Sequence, residues 1–165
     1  TPSISRIISL IRHPSLLPLS HDHHHGLALA LRCRKQALGR LKPMGSAGLR
    51  ERATEVLAFY ESNLMAHFRA EEEVLFATMR SAVPQSAAAI DQLVREHEQV
   101  REAMVRLKTM EGLAKSLFDL GDLLERHIRK EERELFPLFE QQMSASEADA
   151  IGPEIKKSLA AKTER

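Results

Sequence analysis

At 165 residues the chain is long enough for one domain with a single core, and 43% hydrophobic with 28% charged residues, seven glycines and seven prolines excludes a disordered or fibrous chain. The formal net charge of +1 gives no footprint for a nucleic-acid or membrane partner. Cys33 is the only cysteine, which excludes an intrachain disulfide and a cysteine-built cluster and fits a reducing, cytoplasmic setting. No apolar run approaches the roughly 18 residues of a membrane span, and no secretory leader pattern is present.

Ser3 to Arg12 carries Ile4, Ile7, Ile8 and Ile11 at helical spacing, and His13-Pro14 stops this short leading helix. Pro14 and Pro18 bracket an apolar connector, after which Ser20 is the expected N-cap of the first long helix. That helix opens with Ser20-His21-Asp22-His23-His24-His25 and continues through Leu27, Leu31, Leu38 and Leu41. Against this leucine stripe His24 lies three residues before Leu27 and seven before Leu31. His23 flanks the stripe on its other side, and His21 and His25 fall outside it. The phase therefore selects His24 first and His23 second as inward residues. Arg32, Arg34, Lys35, Arg40 and Lys42 read as a solvated face.

Lys42 to Gly48 is a turn, and a second helix runs from it to near Ala82. Pro84 and Ser86 open a third helix with the stripe Ile90, Leu93, His97, Val100 and Met104. Gly112 precedes a fourth helix that ends near Gln142. Ser144 to Glu147 has capping-box spacing and starts a short last helix, weakened by Gly152-Pro153. The expected fold is all-α, an up-down-up-down four-helix bundle with short extra helices at both termini. It forms one domain over residues 1–165 with the bundle core at about 20–142.

The segment His67-Phe68-Arg69-Ala70-Glu71-Glu72 recurs 60 residues later as His127-Ile128-Arg129-Lys130-Glu131-Glu132. Residues four apart share a helix face, so each copy presents one imidazole and one carboxylate in the same direction. His67 and Glu71 fall in the sector of Leu57, Leu64, Phe68 and Leu75. His127 and Glu131 fall among Leu117, Leu120, Leu124, Ile128 and Leu135. Both carboxylates are thus expected in the core, where an ionised group costs several kcal/mol unless a partner compensates it.

Arginine or lysine would serve as that partner. Glu-His pairs from two helices, however, supply anionic oxygen and neutral nitrogen together, which suits iron and, less selectively, zinc or manganese. The inward histidines sit early in the first and third helices and late in the second and fourth. Alternate helices run in opposite directions, so all four histidines reach one level of the bundle. A purely structural His/Glu network would leave much donor capacity unsatisfied at that level.

Glu72, Glu73, Glu132 and Glu134 read as solvated faces, and Tyr60, Cys33 and the methionines as core. None of the four inward histidines has glutamate three residues before it, which disfavours a ferritin-like carboxylate site.

A lone His on the first helix, His67-x-x-x-Glu71 on the second, His97 on the third and His127-x-x-x-Glu131-Glu132 with Leu135-Phe136-Pro137 on the fourth resembles the hemerythrin family, or HHE cation-binding domain. The resemblance implies a non-haem di-iron centre in which Glu71 and Glu131 bridge the irons and His24, His67, His97 and His127 are terminal ligands, with His23 a further candidate. It implies binding or sensing of iron, dioxygen or nitric oxide, by a monomer or homodimer, ahead of an enzymatic or iron-sulfur-cluster-repair role or a bundle with incidental metal. The oxygen carriers of the family have His-x-x-x-His on the third helix, where this chain has Arg101. They also have His-x-x-x-x-Asp on the fourth, where this chain has His127-x-x-x-Glu131. The third-helix replacement leaves a ligand place for His23, His21 or water.

Overall fold

A computed structural model describes residues 11–161, and every regular element among them is helical. The leading helix expected over Ser3 to Arg12 lies outside the described residues except for Ile11 and Arg12, which are not helical. A 3-10 turn, Pro14–Leu16, leads into α1, Leu17–Ala37. Pro18 stands in the first turn of α1, where a missing N–H breaks no helical bond. The helix therefore starts before Ser20, which is not its cap, and the Ser20 hydroxyl donates to Glu132 Oε1 at 2.7 Å instead.

Helix α2 spans 45–82, with α-helical Gly45–Phe59, Met65–Ala70 and Ala77–Ala82 interrupted by π turns at Tyr60–Leu64 and Glu71–Phe76. Helix α3 is Ala87–Lys108. Helix α4 spans 113–142 and carries a π turn at Glu131–Leu135. Short turns join these four helices, so successive ones run antiparallel and form the expected bundle.

The fifth helix, α5, is Ala145–Ala160. Ser144 Oγ accepts from the Glu147 N–H at 3.2 Å, as the capping-box spacing predicts. At 16 residues α5 is longer than the sequence suggests, and Gly152-Pro153 does not end it. A Cβ at position 152 would lie 2.8 Å from Ser15 Oγ, so Gly152 lets α5 close on the 3-10 turn. Arg69 extends from α2 to donate to the carbonyls of Ser158 and Ala161 at 2.9 and 2.6 Å, which ties down the end of α5.

The apolar interior of the described residues holds two large clusters, beside a small third one of Ala30, Leu124 and Ile128. One cluster includes Leu19, Leu75, Phe76, Leu93, Leu135 and Phe136, and the other includes Leu29, Leu64, Phe68, Val100 and Leu120. On each of α1 to α4 a histidine lies between the residues of the two clusters. The buried side of α1 runs through Leu19, His23, Gly26, Ala30 and Cys33. Leu31 and Leu38, which anchor the leucine stripe in the sequence, are exposed instead. Gly26 and Gly121 set the close approach of α1 and α4. A Cβ on Gly26 would meet Ile128 Cδ1 at 2.8 Å, and one on Gly121 would meet the Ala30 carbonyl at 2.7 Å.

Candidate metal centre

Between the two apolar clusters lies a polar layer of His23, His67, Glu71, His97, His127 and Glu131, each at most 3% exposed. Glu71 and Glu131 are fully buried. Around them the imidazole Nε2 atoms converge. His23 Nε2 is 2.9 Å from Glu131 Oε2, and His127 Nε2 is 3.0 Å from Glu131 Oε1. His67 and His97 present Nε2 to Glu71 Oε1 at 3.3 and 3.2 Å.

His24 is exposed and outside the layer, so the inward histidine of α1 is His23. The correction has a simple physical cause. The leucine stripe sets the helix phase by Leu31 and Leu38, and those side chains face solvent. The other five sequence-predicted site residues are all brought together here.

The Nδ1 atoms carry a second pattern. Each faces a carboxylate on a neighbouring helix: His67 with Asp22 at 3.0 Å, His97 with Glu72 at 2.7 Å, His127 with Glu96 at 2.9 Å and His23 with Glu132 at 2.8 Å. These four bonds link α1 to α2, α2 to α3, α3 to α4 and α4 back to α1, closing a ring around the bundle. A carboxylate only accepts, so each Nδ1 carries the proton it donates, and the ring presents its four Nε2 atoms inward. Burial tends to raise the Glu72, Glu96 and Glu132 carboxyls, but hydrogen bonds from His97, His127 and His23 respectively, with further donors or positive charges nearby, hold them below the ordinary range.

None of these outer carboxylates appears among the candidate site residues read from the sequence. Glu72 and Glu132 look solvated on an ideal α-helical wheel. Both, however, lie in π turns that begin at Glu71 and Glu131. A wider turn rotates less per residue, so both members of each Glu-Glu pair stay near the layer. Asp22 and Glu96 did have a signal: each immediately precedes a lone inward histidine, as Asp22-His23 and Glu96-His97. That shared order, an acidic residue followed by histidine, also distinguishes His23 from His24.

Aromatic rings fix the imidazole planes. His97 stacks between Phe68 and Phe76, with centroids 3.9 and 5.7 Å away. His23 stacks on Phe136 at 5.5 Å, and Phe76 and Phe136 are equivalent in the 60-residue repeat. Arg101 lies one layer further out. Its Nη2 donates to Glu72 Oε2 at 2.7 Å, and its guanidinium sits over Phe68 at 5.7 Å. Arg12 takes the corresponding place on Glu132, at 2.9 Å, with its guanidinium over Phe136.

The electrostatics show what the layer is able to hold. Both oxygens of Glu71 and of Glu131, and Nε2 of His97 and His127, are buried without a hydrogen-bond partner among the described residues. His23 and His67 bring their Nε2 atoms to 3.1 Å, a contact with room for one proton between them. Burial alone pulls the His67 ring down, but the nearby Glu71 charge and the Asp22 hydrogen bond push it up to about 10. Burial would raise Glu131, yet the positive His127 ring beside it holds its carboxyl well below the carboxylate range.

A cation would satisfy these converging oxygens and nitrogens at once. Two buried groups can hold one: His23, His67, Glu71 and Glu131, and Glu71, His97, His127 and Glu131. The donor set of imidazole nitrogen and carboxylate oxygen fits iron, with zinc and manganese less selectively matched. His23→Ala is expected to weaken metal binding by on the order of 100-fold or more, since even outer-shell losses cost 10–100-fold. His24→Ala is expected to leave it unchanged. Elemental analysis and metal titration of the two variants check this, and a metal loss confined to the His24 variant would reverse the assignment.

Residues 15–139 match the sequence profile of the hemerythrin HHE cation-binding domain. No curated protein and no solved structure shows a match.

Proposed function

The chain belongs to the hemerythrin HHE cation-binding family, and we propose that its polar layer holds a non-haem di-iron centre that binds or senses dioxygen or nitric oxide. The observation supporting this reading is that Glu71 and Glu131 are common to both candidate groups. One ion needs only one such group. Two carboxylates shared by two histidine pairs suit two adjacent cations, because anions between the cations offset their repulsion. His23 and His67 would hold one iron and His97 and His127 the other, with Glu71 and Glu131 contributing to both.

Bound iron would supply electrons and a coordination place for a diatomic ligand. This chain's residues provide the surroundings. The ring of Asp22, Glu72, Glu96 and Glu132 holds each proton on Nδ1 and keeps Nε2 available. Of the six carboxylates in and around the layer, Glu132 and Glu72 pair with the guanidiniums of Arg12 and Arg101, and bound cations would offset the charge of the others. The apolar clusters on either side exclude water. A reducing, cytoplasmic compartment belongs to the same proposal, since it keeps iron in the ferrous state.

Each proposed position has two histidines. Arg101 occupies the place of the carriers' additional third-helix histidine and is engaged with Glu72, not with the layer. A six-coordinate ion would therefore leave more than one place to solvent or an exogenous ligand. This favours net oxidation or nitric oxide binding over reversible oxygen carriage.

Protein from iron-replete cells is expected to contain about two irons per chain, and a single zinc or trace metal by elemental analysis would overturn the reading. Reduced anaerobically and exposed to air, the protein is expected to oxidise within minutes without recovery on purging. A visible band that appears with oxygen and reverses on purging would restore the carrier reading.

A further inference from the structure

The polar layer accounts for one of the four clustered histidines of α1. His21 and His25, one helical turn apart, are exposed and join none of the apolar clusters. Their rings meet edge to face with centroids 4.9 Å apart. Two imidazoles at i and i+4 on one helix face have the spacing that lets a single transition-metal ion accept a nitrogen from each. Both side chains are exposed, which leaves room to turn from edge contact into a chelating pose.

Asp22, next to His21 in the chain, is half-buried and reaches the outer side of the polar layer. Its Oδ2 accepts from His67 Nδ1, and its side chain is 16% exposed. The other ring carboxylates are held by further donors: Glu72 by Arg101, Glu96 by Gln92, and Glu132 by Ser20 and Arg12. Asp22 accepts from His67 alone among the described residues, so it is the least tethered member of the ring. It also lines a surface groove of about 580 Å³ with Pro18, His21, Asn63, Ala66 and Lys156. The weakest closure of the ring thus faces the groove that carries His21.

We propose that His21 and His25 form a surface site for a divalent transition-metal ion, and that ferrous iron captured there enters the layer past Asp22 at the His23/His67 end. The proposal rests on the di-iron reading of the layer. Capture next to the entry point raises the local iron concentration at the one carboxylate free to swing aside, so the pair acts on the rate of loading and not on the final content. His24 is exposed on the same stretch and shares no ring contact with the pair, so it serves as the internal control.

Two measurements test this. Iron-loaded protein titrated calorimetrically with nickel(II) is expected to bind one further ion, with affinity reduced at least about tenfold in His21→Ala and in His25→Ala and unchanged in His24→Ala. Metal-free protein mixed anaerobically with limiting ferrous iron is expected to load about tenfold more slowly in the first two variants and to reach the wild-type content in all three. No further nickel on the loaded wild type, or equal loading rates in all variants, overturns the proposal. The failures are separable. A wild-type content far from two irons faults the di-iron reading, whereas normal content with unchanged loading rates faults the entry route.

Discussion

Glu131→Gln is expected to empty both proposed metal positions, whereas His127→Ala empties one. Glu131 belongs to both candidate groups, and its carboxylate is buried within 3.0 Å of a ring nitrogen from each. Glutamine keeps the shape and one oxygen but loses the negative charge that lets one side chain serve two cations. Iron content should fall from about two per chain to nearly none, against about one in His127→Ala, because the His23/His67 pair keeps its carboxylates in the latter. Elemental analysis with far-UV circular dichroism as a folding control makes the measurement. A folded Glu131→Gln variant that retains one iron would show that this carboxylate serves a single ion. Glu71→Gln should behave the same way, since Glu71 stands at the equivalent place in the repeat and in both groups.

The second large effect concerns the metal-free protein. His67 is pushed from 6.5 to about 10 in the folded state, and His23, His97 and His127 are also raised. Between those values the folded state holds protons that the unfolded state has released, so stability falls as pH rises. The His67 contribution is complete below about 6.5 and is lost as pH passes through about 10, and the other three rings, raised as well, act in the same sense. Glu131 acts in the opposite sense. Its folded value lies well below 4.5, so its contribution is present above 4.5 and is lost as pH falls.

Metal-free protein should therefore be most stable near pH 5–6 and lose about 10 °C of melting temperature by pH 9.5, taking a loss of a few kcal/mol at about 2–4 °C per kcal/mol. The metal-loaded protein should show little slope there, because a coordinated Nε2 has no proton to lose. Differential scanning calorimetry of both forms checks this, and a metal-free melting temperature that rises from pH 6.5 to 9.5 would refute the protonated layer.

The sequence alone determined the helices and five of the six residues of the polar layer. Leucine periodicity places His67, Glu71, His97, His127 and Glu131 on buried faces because α2, α3 and α4 each carry an apolar stripe that includes these residues. Antiparallel order then brings them to one level. Only the tertiary structure decided the sixth residue and the outer ring. On α1 the exposed Leu31 and Leu38 compete with the true buried line of Leu19, His23, Gly26, Ala30 and Cys33, and two of those positions are small residues that packing against α4 requires.

The outer carboxylates were hidden for a different reason. A helical wheel assumes a uniform turn, and the π turns after Glu71 and Glu131 break that assumption where Glu72 and Glu132 are drawn toward the histidines. Hydrogen bonds between Asp22 and His67, or Glu96 and His127, join residues 45 and 31 positions apart. Such pairings depend on which helix lies beside which, a property of packing that no local periodicity encodes.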